Sequence, residues 1–230
     1  MIKDRMYKID KEIVFDLMAE IVEKEFNEKL GGTKINTKIG TQYNGITNDE
    51  ELIEDIFSMY MDFDGDDRLG RDAENGEFIL NMPLIYANIS EFQEDIYWFL
   101  NMEYEFDLYN WGLQYGFTFE ESVIAFCLCH EIGHMKNFIE DFNEYGYYKT
   151  YEEDIMPSRA LNSIFNEEEL FIGYRRLNDE HKADINSIEF LKIYGDFIKE
   201  LIDKGMLIEC TTEEVDDILD DYYSRRIILG

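Results

Sequence analysis

Apolar residues recur at helical spacing through residues 9–29, where Ile13, Val14, Phe15, Leu17, Met18, Ile21, Val22 and Phe26 are interleaved with acids and lysines. The pattern predicts an amphipathic helix, stopped by Gly31-Gly32. Period two takes over in KINTKIGTQY, 34–43, where Ile35, Thr37 and Ile39 alternate with polar residues and predict a short strand. Thr47 with Glu50 forms a capping box ahead of an amphipathic stretch reaching about Met61. Glu77 to Ser90, EFILNMPLIYANIS, reads as a strand or strand pair, with Pro83 best tolerated on a sheet edge. Residues 91–110 predict a helix, and Gly112 and Gly116 lead into Thr118–Asn137, TFEESVIAFCLCHEIGHMKN. In that stretch Thr118 and Glu121 make a second capping box, and Phe119, Val123, Ile124, Phe126, Cys127 and Leu128 supply a strongly apolar helix body. The tyrosine-rich run after His134 predicts a loop. Helical spacing returns at 160–170 and over Asp179–Phe197, which carries Ile185, Ile188, Phe190, Leu191 and Tyr194. Thr211 or Thr212 caps an acidic, amphipathic terminal helix.

Together these elements predict a mainly helical α+β domain with a small β-sheet, a single unit over residues 1–230. Its parts are N-terminal helices and sheet (1–117), a central helix (118–138) and a helical remainder (139–230). With 45% apolar and 15% aromatic residues and only two prolines, the chain can bury a core and has no proline-rich linker.

Charge changes the picture. The formal net charge is −31, and residues 51–100 hold thirteen acids against Arg68 and Arg71. Such a surface repels nucleic acid and anionic membranes and favours cations, basic peptides or basic protein partners. DFDGDDRLG, 62–70, sets Asp62, Asp64 and Asp66 at the first, third and fifth positions of a calcium loop. Asp67 stands where glycine is needed and Ala73 where glutamate is needed, so a solvated acidic turn is the better reading. The N-terminal run lacks an apolar signal core, and no stretch approaches the roughly twenty apolar residues of a membrane span. Three cysteines, Cys127, Cys129 and Cys210, are too few for a disulfide framework, which points to a reducing cytoplasm.

The chain's chemistry concentrates in His130-Glu131-Ile132-Gly133-His134, an HExxH motif. Histidines four apart on a helix share a face and can reach one cation, while the glutamate can sit beside a water and take its proton. The plain alternative is a pair of helix histidines that hydrogen-bond in a core or face solvent. A catalytic zinc site needs a third protein ligand. Glu180, Ala183 and Asp184 form an E-x-x-A-D pattern: Glu180 and Asp184 share a face, and Ala183 is small enough for close helix approach. Glu180 can bind the metal while Asp184 accepts a hydrogen bond from the outer nitrogen of a histidine ligand. Two competitors exist. Glu140 lies six residues past His134 and would serve if Asn137 took a left-handed turn. His181, the remaining histidine, points about 100° away from Glu180 around the helix. Cys127 and Cys129 read as small core residues.

HEIGH followed by EHKAD resembles the gluzincin metallopeptidases, especially the HtpX and CAAX-prenyl-protease group and the ImmA/IrrE group. The resemblance covers two helices. It implies zinc on His130, His134 and Glu180, Glu131 as general base, and Asp184 steadying a ligand, His130 in the first place. It departs from the HtpX and CAAX enzymes in lacking a membrane span, and from ImmA-like proteins in the helical segment 91–110 before the motif. The implied activity is zinc-dependent peptide hydrolysis in a zincin-like fold, on a peptide or protein substrate, basic if the surface charge guides it. An edge strand within 77–88 would hold the substrate, and Tyr147, Tyr148, Tyr174, Arg175 and Arg176 are open choices for stabilising the oxyanion. The alternative from another class is an acidic regulatory protein or DNA mimic that occupies a basic partner, with or without a non-catalytic zinc site.

Overall fold

The computed structural model describes residues 5–25, 34–40, 58–63, 75–81, 85–86, 89–147, 149 and 173–229. In chain order they form β1 (Met6–Ile9), α1 (Lys11–Glu25), β2 (Lys34–Gly40), β3 (Ser58–Phe63), β4 (Asn75–Asn81) and β5 (Ile85–Tyr86). Then follow α2 (Ile89–Tyr104), α3 (Leu108–Tyr115), α4 (Phe119–Tyr145), α5 (Asn178–Asp203), β6 (Leu207–Cys210) and α6 (Thr212–Leu229). The α+β class is as the sequence predicts, with helices dominating two small sheets.

The core is built around α4, whose Val123, Ile124, Ala125, Phe126, Leu128, Cys129 and Ile132 are all fully buried. A helix apolar on every side must lie inside the molecule. Its start is fixed by the predicted capping box: Thr118 Oγ1 accepts from the Glu121 N–H, and Glu121 accepts from the Thr118 N–H at 2.7 Å. α5 runs antiparallel to it. Ser187 Oγ donates to the Phe126 carbonyl near one end of the contact, and Asn137 Nδ2 donates to the Asp179 carbonyl at the other. α1 adds Val14, Leu17, Met18 and Ile21 at helical spacing, and α3 is tied to α5 by the Trp111 indole donating to the Leu191 carbonyl at 3.2 Å.

One sheet has the order β5-β1-β6, antiparallel throughout, with Tyr7 opposite Tyr86 and Ile9 opposite Leu207. The other has the order β2-β4-β3, with β2 parallel and β3 antiparallel to β4. Consecutive Phe78, Ile79 and Leu80 on β4 are all buried, as a strand covered on both faces requires. Phe78 meets Phe138 of α4 edge to face, 5.6 Å between ring centroids.

Several expectations need correction. The substrate-holding edge strand placed within 77–88 is not an edge over 77–81, because β4 is hydrogen-bonded on both sides; among the described residues β2 and β3 are the outer strands of that sheet. Residues 58–61, expected at the end of a helix, are strand: Met59, Met61 and Phe63 alternate with Ser58, Tyr60 and Asp62, and pairing with β4 selects that period. The helix expected over 91–110 is two helices. Glu105 adopts a positive φ of 52°, and Asp107 caps α3 by accepting from the Asn110 N–H at 2.9 Å. The central helix expected over 118–138 runs on to Tyr145, where a loop was expected, since Phe138, Ile139 and Phe142 extend the buried stripe of α4 to Gly146, whose φ of 78° ends it. β1 and β6 had no counterpart in the sequence reading, and Ile9 lies in a strand. Gly31-Gly32, the Thr47–Glu50 box, Asp64 and Asp66, Pro83, Tyr148 and the helix at 160–170 lie outside the described residues. No helix among the described residues is long and apolar enough to cross a membrane.

Where α4 and α5 cross, Gly133 lies against Ala183 so closely that a Cβ on Gly133 would stand 2.7 Å from the Ala183 carbonyl oxygen. Gly133→Ala is expected to destabilise the fold by about 1–3 kcal/mol through overpacking, exceeding the roughly 1 kcal/mol that alanine contributes to helix propensity. Urea denaturation checks this, and a variant as stable as the parent would refute the close crossing.

Candidate metal centre

The close crossing brings one face of α4 against the first turns of α5. His130 and His134 point from α4 to a common spot with their Nε2 atoms 3.1 Å apart. Glu180 reaches it from α5, with Oε2 at 3.1 Å from His130 Nε2 and Oε1 at 3.7 Å from His134 Nε2. One ligand atom from each of the three residues lies within 4.8 Å of the others. Donors about 2.1 Å from a tetrahedral centre stand about 3.4 Å apart, so these separations bracket the value for one shared cation. The group could hold a metal ion, with His130 4% and Glu180 7% exposed.

Each histidine is backed by a carboxylate. His130 Nδ1 lies 2.9 Å from Asp184 Oδ1, and His134 Nδ1 lies 3.0 Å from Asp179 Oδ2. A neutral imidazole that donates through Nδ1 presents its Nε2 lone pair to the cation, so both tautomers are set for ligation. Asp184 stands where the sequence expects it. Asp179 was missed: it precedes Glu180, and only the angle between the helices turns it toward His134. It is held in turn by Asn137, whose Nδ2 donates to the Asp179 carbonyl and Oδ1, both at 2.9 Å, while Asn186 Nδ2 donates to Asn137 Oδ1 at 2.8 Å.

Asn137 is therefore a buried helix residue rather than a turn, and Glu140 is exposed and outside the metal-competent group. His181 is outside it too, with Nδ1 3.0 Å from the Tyr104 hydroxyl. Cys127 and Cys129 take no part, and Cys129 is core. Glu131 is half-buried on α4, next to His130. Of the candidate oxyanion donors, Arg175 is buried against Asp184, and Arg176 pairs with Glu103 at 2.9 Å. Tyr147 is half-buried beside the Tyr145 ring. Among the described candidates, Tyr174 lies where the charges of Glu180 and Glu131 act on its hydroxyl. The residue is 45% exposed, yet burial around the hydroxyl, then the Glu180 charge, push its pKa up.

The same contacts shift the ionisation of these three side chains when no cation lies between them. Burial opposes a charge on His134, but Asp179 and Glu180 outweigh it and hold the pKa well above the ordinary histidine value. For His130, burial and the Arg175 charge are outweighed by bonds to Asp184 and Glu180, leaving the pKa raised. Burial likewise opposes the Glu180 carboxylate, but His134 and His130 prevail and keep it well below its usual range.

Comparison with protein-family models, curated proteins and solved structures finds no match. The functional reading rests on the chemistry of the site itself.

A metal ion bound here would compete with protons for the same nitrogens. Because the folded histidine pKa values are raised, their charge stabilises the metal-free fold below about pH 6.5 and ceases to do so as pH climbs through the raised values. Metal affinity has the opposite dependence. It should strengthen with rising pH by up to about ten-fold per unit for each proton displaced, levelling off above the raised His134 pKa. Titration calorimetry in buffers of differing ionisation enthalpy counts the protons; affinity flat across pH 6–8 would contradict this account.

Proposed function

We propose that the chain is a zinc-dependent metallopeptidase of gluzincin type, with zinc held by His130, His134 and Glu180 and with Glu131 as general base. The observation that carries the reading is the convergence of HExxH and E-x-x-A-D on one gap of cation size, each histidine backed by its own carboxylate. Two imidazoles and one carboxylate are a donor set suited to zinc, and three protein ligands leave a coordination position for chemistry. Zinc, when bound there, supplies a Lewis acid that polarises a peptide carbonyl and acidifies water. Glu131 takes the proton from the attacking water and delivers it to the leaving amine. Tyr174 supports the reading further: once Glu180 is engaged by a cation, the phenol can donate to the developing oxyanion.

An extended peptide needs a free strand edge near the metal. Among the described residues β3 is an outer strand that packs on α4, so the substrate's backbone would pair there, and the acidic surface would favour basic segments. The second reading, an acidic protein that occupies a basic partner, draws on the net charge of −31 alone. It gives no role to Glu131.

Glu131→Gln is expected to retain about one zinc per chain by elemental analysis and to lose about 10²–10⁴-fold in peptide hydrolysis. Glu180→Ala should lose the metal. Zinc content unchanged by Glu180→Ala would move the third ligand elsewhere. Partner binding that survives Glu131→Gln, with no turnover in the parent protein, would favour the acidic-regulator reading.

A further inference from the structure

A positive charge beside a cation site opposes the cation, yet Arg175 lies buried one residue beyond the metal site's inner ring. It is 8% exposed and helical, in the described residues 173–175 ahead of α5. Its Nη2 donates to Asp184 Oδ1, the oxygen that also meets His130 Nδ1. Asp184 Oδ2 accepts from the Tyr104 hydroxyl at 3.1 Å. The guanidinium is walled by the rings of Phe99 and Phe126, 5.9 and 5.5 Å from their centroids, and its Nε has no hydrogen-bond partner among the described residues.

Stability alone gives weak grounds for such a residue. A buried ion pair gains little over apolar side chains of the same volume, because both charges lose their water. Arg175 also pushes against a proton or a cation on His130. What it supplies is geometry. A planar, permanently charged donor on one side and a phenol on the other leave Asp184 a single orientation, and that orientation aims His130.

We propose that Arg175 is a positioning residue for the metal centre, acting through Asp184 to hold the His130 ring with Nε2 turned toward the cation. This rests on the metal-site reading above. Groups that orient a metal-bound histidine typically contribute 10–100-fold to metal affinity. Arg175→Met should therefore weaken zinc binding by about ten-fold or more, despite removing a repulsive charge. It should also alter the visible absorption of the cobalt-substituted protein, which reports ligand geometry rather than fold stability.

A double-mutant cycle tests the route of action. Zinc affinity is measured by competition with a chromophoric chelator for the parent, Arg175→Met, Asp184→Asn and the double variant. If Arg175 acts through Asp184, Arg175→Met has little further effect in the Asp184→Asn background. Full, additive effects of both changes would overturn the proposal, as would a parent-like affinity and cobalt spectrum in Arg175→Met. Should Arg175→Met fail to fold, Arg175→Lys keeps the charge without the planar fork. It should still weaken zinc by a few-fold, and unchanged affinity would refute the positioning role. A parent protein that takes up no zinc would sink the metal reading itself; zinc uptake with Arg175 inert would sink only this inference.

Discussion

Removing charge from water is the constraint on which the rest of the structure depends. Asp179, Glu180 and Asp184 are buried between α4 and α5 with one buried guanidinium among the described residues, that of Arg175, beside them. The effective penalty is several kcal/mol for each ion left uncompensated. The two negative charges that remain match either two protonated imidazoles or one divalent cation. Either one would offset the cost of bringing the acids of α5 against α4. Gly133 and Ala183 make the approach sterically possible, and Asn137, Asn186 and Tyr104 meet polar atoms that would otherwise be stranded.

The placement of those acids on α5 is economical in electrostatic terms. Asp179 and Glu180 occupy the first turn of the helix, where the free backbone N–H groups carry partial positive charge. Leu177 at the N-cap offers no side-chain bond, so the early carboxylates complement the helix end directly. α4 carries the histidines deep within its length, where the surrounding rows are apolar and the rings have few conformations open to them. One helix supplies charge and the other rigidity.

What the sequence made legible was what helical periodicity decides locally. His130 and His134 share a face, as do Glu180 and Asp184, and the small residue at 183 marks the close approach. The Thr118 box, the α5 helix and the α+β class came from the same local rules. The remainder needed tertiary information. Asp179 lies on a different face from Asp184 and finds His134 only because the helices cross. Tyr104 reaches Asp184 across a chain separation of 80 residues. β3 is amphipathic enough at either period, and β4 decides between them. β1 and β6 are four residues each, too short to stand out before they are paired.

That last pairing bears on how the protein is made. β1 joins β6 in register from Met6 with Cys210 to Ile9 with Leu207, across a span of about 200 residues. At ribosomal speeds of about 5–20 residues per second, the first strand waits roughly 10–40 s for that neighbour. During this interval α4 and then α5 emerge and can dock. A nascent chain can thus bring its histidines and carboxylates together before β1 and β6 are joined.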